Sequence, residues 1–484
     1  MDYDVIIIGA GMSGLAAGIR LAMFDRRVCI IERHYNFGGL NSFYSLKGRR
    51  FDVGLHALTN YVGADVRNTP LPKMLRQLRI PRDALDLCEQ SYSAVSFPGR
   101  QIRFNNDIQL LIDEVAREFP AEAGNFLRLI ENIKAYDDLD LSVQPTSSRR
   151  VLADFFGDGT LIDMLLCPLM YYGNAEEHDM DYTQFVTMFK SIFLQGFARP
   201  RQGVRRIVAE LVKRYRACGG EFRMKCGVKL LRNDGRRVTC VQLDDGETLR
   251  ADTVISSAGY VETIRLLQGA AGFSLRDSAN EAEAPDREVA QAEACGSLGN
   301  RPGQLSFIES ISILDTKPID LGIDATIIFF NDAETFTYAK PNDLIDPRSG
   351  VICMPNNYER HDDMAEGIVR LTSLANYDRW VSLPEDDYRA AKARCYDLAA
   401  DHAVKFIPEF RERVIARDIF TPRTIEHYTG HINGAVYGAP RKIRDGRTHL
   451  DNLFICGTDQ GFLGIIGAAL SGISMANLHV LSAD

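Results

Sequence analysis

The sequence predicts an α/β protein: a parallel-sheet, dinucleotide-binding domain of the Rossmann type joined to a second, α+β part. Three observations carry the prediction. An apolar run, Val5 to Ile8, opens straight into glycines at 9, 11 and 14. A second apolar run, "RRVCIIE", ends in the acid Glu32. Farther on, residues 67–199 show helical spacing, while 304–383 alternate like strands. At 484 residues the chain exceeds one simple core, and roughly 100–200 residues per domain suggests two or three units.

The stretch "DVIIIGAGMSGLAAGIRLA" begins with a strand that is apolar on both faces, as strands inside parallel sheets are. Gly9, Gly11 and Gly14 follow in GxGxxG order ahead of a helix pattern. Each glycine has its own physical reason: a tight turn, close backbone approach to a pyrophosphate, and close packing of helix on strand. The helix N-terminus then offers unpaired N–H groups and the positive end of its dipole to phosphates. Glu32 stands where a carboxylate accepts bonds from a ribose. A plain turn and a solvated acid would also explain these residues, but strand, glycine loop, helix and second strand together are the context a dinucleotide site requires.

Beyond Glu32 the chain reads "NFGGLNSF", with Gly38 and Gly39 adjacent, then the strand-like "RRFDVGLHALTNY". A second glycine pair permits another close backbone approach, which a longer, two-ended cofactor needs; turn chemistry is the structural alternative. In the next segment "PKMLRQL", "IQLLIDEVAREF" and "AGNFLRLIENIKAYDDL" carry apolar residues three and four apart, which predicts helices. "LIDMLLCPLMYYG" and "FVTMFKSIFLQGF" are apolar, helix-compatible and shorter than a membrane span. Core packing accounts for both; the alternative is that one dips into a bilayer surface and admits a greasy substrate.

"ADTVISSAG" reads as a further buried strand, and the polar, Ala- and Glu-rich stretch 271–303 as a surface insertion or flap. "QLSFIESISIL", "ATIIFFND" and "IVRLTSLAN" alternate as strands, and a helix follows over about 384–406. Near the end, residues 461–478 hold no charge over 18 positions, the lower edge of the roughly 17–25 apolar residues that span a bilayer. Gly457, Gly461, Gly464, Gly467 and Gly472 crowd this region, so strand, loop and helix start is the better reading than a membrane anchor.

Composition narrows the function. Hydrophobic residues at 45% and charged residues at 25% are those of an ordinary soluble enzyme. A net charge of −9, from 56 basic and 65 acidic residues, argues against nucleic acid, whose binding comes from neutralising phosphates. Ten cysteines are scattered with no CxxC pair and no Cys/His cluster at metal spacing, as expected of reduced packing residues in a cytosolic protein with no metal site. The start, "MDYDVIII", has acids where a signal peptide needs positive charge. The expected location is therefore cytoplasmic.

Taken together, "GAGMSG…IIERHYNFGGLNSF…FDVGLHALTNY" resembles the flavoenzyme family that contains phytoene desaturases, carotenoid isomerases and retinol saturases. "TPRTIEHYTGHINGAVYGAPR" and "NLFICGTDQGFLGIIGAALSG" look most like the retinol saturase and carotenoid isomerase branches, and "GFARPRQGVRRIVAELVKRYRACGGEFRMKCGVKLL" resembles the family's return from substrate domain to cofactor domain. The resemblance implies FAD, and a Rossmann-type FAD-binding domain (1–66, 200–268, 416–484) interleaved with an α+β substrate domain (67–199, 269–415). Carried over block by block, it implies that FAD is held by Gly9, Gly11, Ser13 and Gly14, by Glu32, Arg33, Gly38, Gly39 and Leu40, by Val228 and Ala258, and by Gly457, Asp459 and Gly467. One departure stands out. Many relatives carry a basic residue directly after the glycine pair, where Leu40 and Asn41 stand here.

The chemistry so implied is oxidoreduction or isomerisation at C–C and C=C bonds of a long hydrophobic polyene, with an acyl chain or an amine as rival substrates and a non-catalytic FAD protein as a third reading. A flavin carries the hydride chemistry, and the protein must present the substrate and exclude water. The blocks that the resemblance places near flavin or substrate supply His56, Tyr428, His431 and Tyr437 as candidate proton handlers, each with a structural, hydrogen-bonded role as the alternative. No second glycine fingerprint marks a nicotinamide site, so a quinone, oxygen or an external reductant is the expected electron partner, with contact to the inner membrane surface as the expected route for a lipid. The sequence sets no oligomeric state.

Overall fold

The structure is a computed structural model and describes residues 2–54, 56–268, 301–359 and 364–482. Its first sheet is wholly parallel, in the order Leu453–Ile455, Ala251–Ser256, Tyr3–Ile8, Val28–Glu32, Glu221–Met224. Val5, Ile6 and Ile7 have no exposed surface because both faces of the sheet are covered. On one face lie the helices Met12–Ala22, Val204–Ala217 and Gly464–Ala476. On the other lies an antiparallel three-stranded sheet, Val228–Asn233, Val238–Leu243 and Thr248–Leu249.

A second sheet of seven strands runs in the order Val414–Phe420, Ser306–Leu314, Gly367–Ala375, Ile345–Cys353, Ile327–Asn331, Ser93–Phe97, Arg100–Phe104. All its pairings are antiparallel except Ser93–Phe97 on Ile327–Asn331. Helices Ile108–Glu118, Ala123–Ala135, Gly159–Gly173 and Tyr182–Phe189 pack over one face and enclose the largest core. Helix Glu385–Ala403 packs against the same sheet through two separate clusters.

The structure corrects several sequence expectations. Segment 67–199 is mainly helical but also gives the sheet its edge hairpin, 93–104, turned at Pro98-Gly99 with Gly99 at φ 71°. Strand Ile345–Cys353 was not anticipated; its proline and polar residues hide the alternation, and its register shifts between Asp346 and Val351. Strand Val414–Phe420 pairs with Ser306–Leu314, so a boundary at 416 would cut a strand of the substrate sheet. The chain returns to the nucleotide-binding half only after Phe420. The two apolar stretches near 161–173 and 185–197 lie in the core, with Leu165, Leu166, Phe185 and Phe189 fully buried, which leaves no apolar face for the bilayer-dipping alternative. Of the stretch 271–303, residues through 300 lie outside the described residues.

The uncharged tail is strand, turn and helix. Helix Gly464–Leu481 is long and apolar enough to cross a membrane by length and composition, but more than half of it is buried inside the protein. Its apolarity belongs to a helix–helix contact: a Cβ at Gly472 would sit 2.0 Å from the Ser13 carbonyl oxygen and 3.0 Å from the Ala17 nitrogen. Only glycine admits that approach.

Candidate active site

The first strand ends at Gly9, whose φ of 94° turns the chain sharply and whose N–H bonds the Ile31 carbonyl at 2.8 Å. A Cβ at Gly14 would meet the Gly9 carbonyl oxygen at 2.1 Å, so Gly14 lets the helix close on the turn. Gly11 differs, since a Cβ there would meet no atom within 4 Å. The first helix starts on Gly11 without a side-chain cap, and Met12 and Ser13 in its first turn line a cavity. The second glycine loop lies alongside: Gly38 donates to the Ala10 carbonyl at 2.9 Å, pairs with Gly11, and adopts φ 104°, with Gly39 at 58°. Two backbone loops without side chains, beside an uncapped helix N-terminus, fit a diphosphate. Glu32 fastens this cradle by accepting from the backbone N–H of Ala10 and of His34, each at 2.8 Å.

From the cradle one cavity runs on between the two sheets. It is lined by Ser13 and Leu40, by His56, Glu309 and Thr372, by Asp459, Cys456 and Gly464, and by the apolar side chains of Tyr171, Tyr172, Phe307, Val436, Tyr437 and Leu463. The end of the last helix that opens on it carries no acid in its first turn. Its positive dipole end therefore faces the cavity without a counter-charge of its own.

A polar cluster forms part of this lining. His56 Nε2 lies 3.0 Å from Glu309 Oε1 and 3.2 Å from Thr372 Oγ1. Arg370 Nε donates to the same Glu309 oxygen at 2.6 Å, and the Thr372 hydroxyl donates to the other. Glu309 and Thr372 are each 8% exposed and Arg370 2%. Burial alone would raise the carboxyl pKa, but the Arg370 guanidinium and His56 outweigh it and hold Glu309 down to about 2. The sheet register explains the cluster: Glu309 stands opposite Thr372 and Ile311 opposite Arg370, so the charged pair shares one face of neighbouring strands. A second buried pair lies behind it. Arg199 bonds Asp52 and also the His56 carbonyl, the latter at 3.3 Å.

Of the sequence-predicted residues, Gly11, Ser13, Gly38, Gly39, Leu40, His56, His431, Tyr437, Gly457 and Asp459 line this cavity. Asp459 accepts from the N–H of Tyr260 at 2.6 Å and of Ala439 at 2.7 Å. It anchors two loops as well as facing the cavity. His431 Nδ1 lies 3.7 Å from Glu262; burial opposes its charged form, but Glu262 and, behind it, Asp459 carry its pKa above the usual imidazole value. Tyr437 donates to the Tyr171 carbonyl at 2.5 Å, which is a wall role. Gly9, Gly14 and Gly467 serve turn and helix packing.

Four more of the sequence-predicted residues lie off this lining. Tyr428 is 49% exposed, with its ring on His34 and His427; helix Pro422–Thr429 turns it outward, away from the cavity. Arg33 donates to the Glu426 and His427 carbonyls, capping that helix. Val228 pairs with Leu243 and is half-buried in the three-stranded sheet's core. Ala258 is half-buried beside Ser257, which does line the cavity. Sequence reasoning missed Glu309, Arg370, Thr372 and Tyr172. The signal for the first two was an acid and a base set inside otherwise apolar strand patterns. Lys442, also missed, is half-buried and donates to the Tyr437 carbonyl at 2.6 Å.

A family model described as flavin containing amine oxidoreductase matches residues 12–260. The chain is similar to all-trans-retinol 13,14-reductase of Danio rerio, at 23% identity over 99% of this chain and 87% of that protein. It is also similar to chloroplastic prolycopene isomerase of Arabidopsis thaliana, at 23% identity over 100% of this chain and 83% of that one. Among solved structures, an oxidoreductase from Methanosarcina mazei shares the fold, with a TM-score of 0.66 at 16% identity over 98% of this chain and 99% of that chain.

Proposed function

As this chain belongs to the family of flavin-containing amine oxidoreductases, we propose that it is an FAD-dependent oxidoreductase acting on C–C or C=C bonds of a long hydrophobic polyene, as desaturase, saturase or isomerase. Relatives spanning nearly the whole chain act on retinol and prolycopene by name. The observation that carries the choice of substrate is the cavity wall. Beyond the cradle it is aromatic and aliphatic, and its two lining carboxylates are already occupied: Glu309 by Arg370, His56 and Thr372, Asp459 by two backbone N–H groups. Among the described residues a substrate ammonium would find no unpaired carboxylate there, which disfavours an amine.

Gly11, Gly38, Gly39 and the first helix's N-terminus would hold the diphosphate, Glu32 the ribose, and Asp459 with the start of the last helix the ring end. Bound FAD supplies hydride exchange with a carbon of the substrate. The remaining work falls to the chain. Tyr171, Phe307, Val436 and Leu463 align an extended apolar chain and keep water out. His56 commits Nε2 to Glu309 and Thr372, which leaves Nδ1 to hold or release a proton, while Glu309 stabilises the imidazolium. In this reading a quinone, oxygen or a separate reductant completes any net redox change, and a cytoplasmic membrane surface delivers the lipid.

The test is anaerobic addition of all-trans-retinol and of prolycopene to the purified flavoprotein in its oxidised and reduced states, with product masses and absorption recorded. A product two hydrogens richer or poorer, or an isomer of equal mass, supports the reading. Turnover of primary amines with no change in either polyene overturns it.

A further inference from the structure

A second cavity, of about 120 Å³, shares no lining residue with the first. Five arginines line it, Arg50, Arg199, Arg201, Arg205 and Arg370, with one acid, Asp52, among the described residues. The chain as a whole carries a net charge of −9, so this is a local reversal of sign. Three of the arginines come from the stretch "RPRQGVR", residues 199–205; strand Arg49–Asp52 supplies Arg50 and Asp52, and strand Gly367–Ala375 supplies Arg370. Arg199 and Arg370 are 5% and 2% exposed. Arg50 and Gln202, in the same lining, are exposed, so the cavity reaches the surface.

The acids at hand do not balance these charges. Glu309 holds Arg370 at 2.6 Å, Asp52 holds Arg199, and Asp86 lies 3.4 Å from Arg201. Asp52 is spent, since its other oxygen accepts from the Val204 N–H at 3.2 Å. Arg205, half-buried, and Arg50 have no ion pair among the described residues. Burial pushes the Arg205 guanidinium below its ordinary pKa; Asp52 opposes this, while Arg50 and Arg199 add to it. A guanidinium partly withdrawn from water among like charges calls for an anion. We propose that this cavity binds a phosphate group, with Arg205 and Arg50 as the guanidiniums that neutralise it. Two uncompensated charges match a phosphate monoester, which carries about −1.5 to −2 at neutral pH, and guanidinium forks fit phosphate oxygens in pairs. Free phosphate and a phospholipid headgroup share this chemistry. Arg370 lines this cavity and holds Glu309 of the first, so an occupant sits one guanidinium away from the candidate active site. The inference does not depend on the choice of substrate there.

The test uses the full FAD-loaded chain. Inorganic phosphate should raise its melting temperature saturably against chloride at matched ionic strength, with half-saturation at about 1 mM or below. Arg205→Gln should weaken that binding about tenfold or more, with FAD content unchanged. Lys213→Gln removes one charge from the same helix but lies outside this lining, and should bind phosphate as the wild type does. Sedimentation with phosphatidylcholine vesicles, alone and with phosphatidic acid, tells the source: binding only where phosphatidic acid is present, lost in Arg205→Gln, assigns a lipid headgroup, and a response to free phosphate alone assigns the free ion. No stabilisation beyond chloride together with no sedimentation that depends on phosphatidic acid overturns the proposal. So does a response that survives in Arg205→Gln, or one that Arg205→Gln and Lys213→Gln weaken equally, which is net charge and not a site. The wild-type arms decide even if Arg205→Gln fails to fold.

Discussion

Glu309 is a carboxylate almost without solvent, kept charged by a guanidinium 2.6 Å away. Removing one partner of such a pair leaves the other buried and uncompensated, which costs about 3–5 kcal/mol. Glu309→Gln should lower stability by that order at neutral pH, measured by chemical denaturation. The pH dependence has a definite sign. The folded pKa, about 2, lies below the unfolded value near 4.5, so the stabilisation is complete above about pH 5 and is lost as pH falls from there toward 2. The wild type should lose stability over that window, while the Glu309→Gln curve stays flatter. Parallel curves would show that Glu309 is not held charged by Arg370 and His56. The pairing was not legible in the sequence, because the partners stand 61 residues apart and meet only through strand register. The glycines were legible for the opposite reason: Gly9, Gly11 and Gly14 act within one turn, so their spacing alone fixes their geometry.

Among elements, the first and last helices decide the architecture of the nucleotide-binding half. They approach so closely that Gly472 has the Ser13 carbonyl where a side chain would begin, and Gly457 stands 2.8 Å short of the Ser13 hydroxyl for any added Cβ. Gly472→Leu should therefore cost several kcal/mol by overpacking and should release the cofactor by moving the glycine cradle, as read by thermal melting and flavin fluorescence. Gly124→Ala, at an exposed helix position with no neighbour within 4 Å, serves as the control and should be neutral or stabilising. A Gly472→Leu protein as stable as the control would contradict the packing argument. Helices with clear three-four spacing, such as Ile108–Glu118 and Ala123–Ala135, were readable from sequence. Hairpin 93–104 and strand Ile345–Cys353 were not, because Pro98, Pro347 and short polar insertions break the alternation that marks a strand. Tyr428 was misplaced for a related reason. Its sequence block reaches the site, but the helix it stands on turns that one side chain outward.

At the scale of the whole molecule, the chain's beginning and end build one parallel sheet, Tyr3–Ile8 at its centre and Leu453–Ile455 at its edge, while the sheet of the other half closes the cavity from across. A site assembled this way is complete only when segments hundreds of residues apart have met, which is why the sequence revealed its cofactor end, made of local motifs, and concealed its substrate end, made of register. The strand at Val414–Phe420 shows the same limit: its apolar pattern does not say which sheet it joins. The measurement closest to the central claim is the FAD content of two purified proteins. The wild type should carry tightly held FAD. Gly11→Val, whose side chain enters open space rather than protein, should fold with unchanged circular dichroism yet bind FAD at least about a hundredfold more weakly. A colourless wild type that ignores added FAD, or a Gly11→Val protein with full flavin occupancy, would contradict the account.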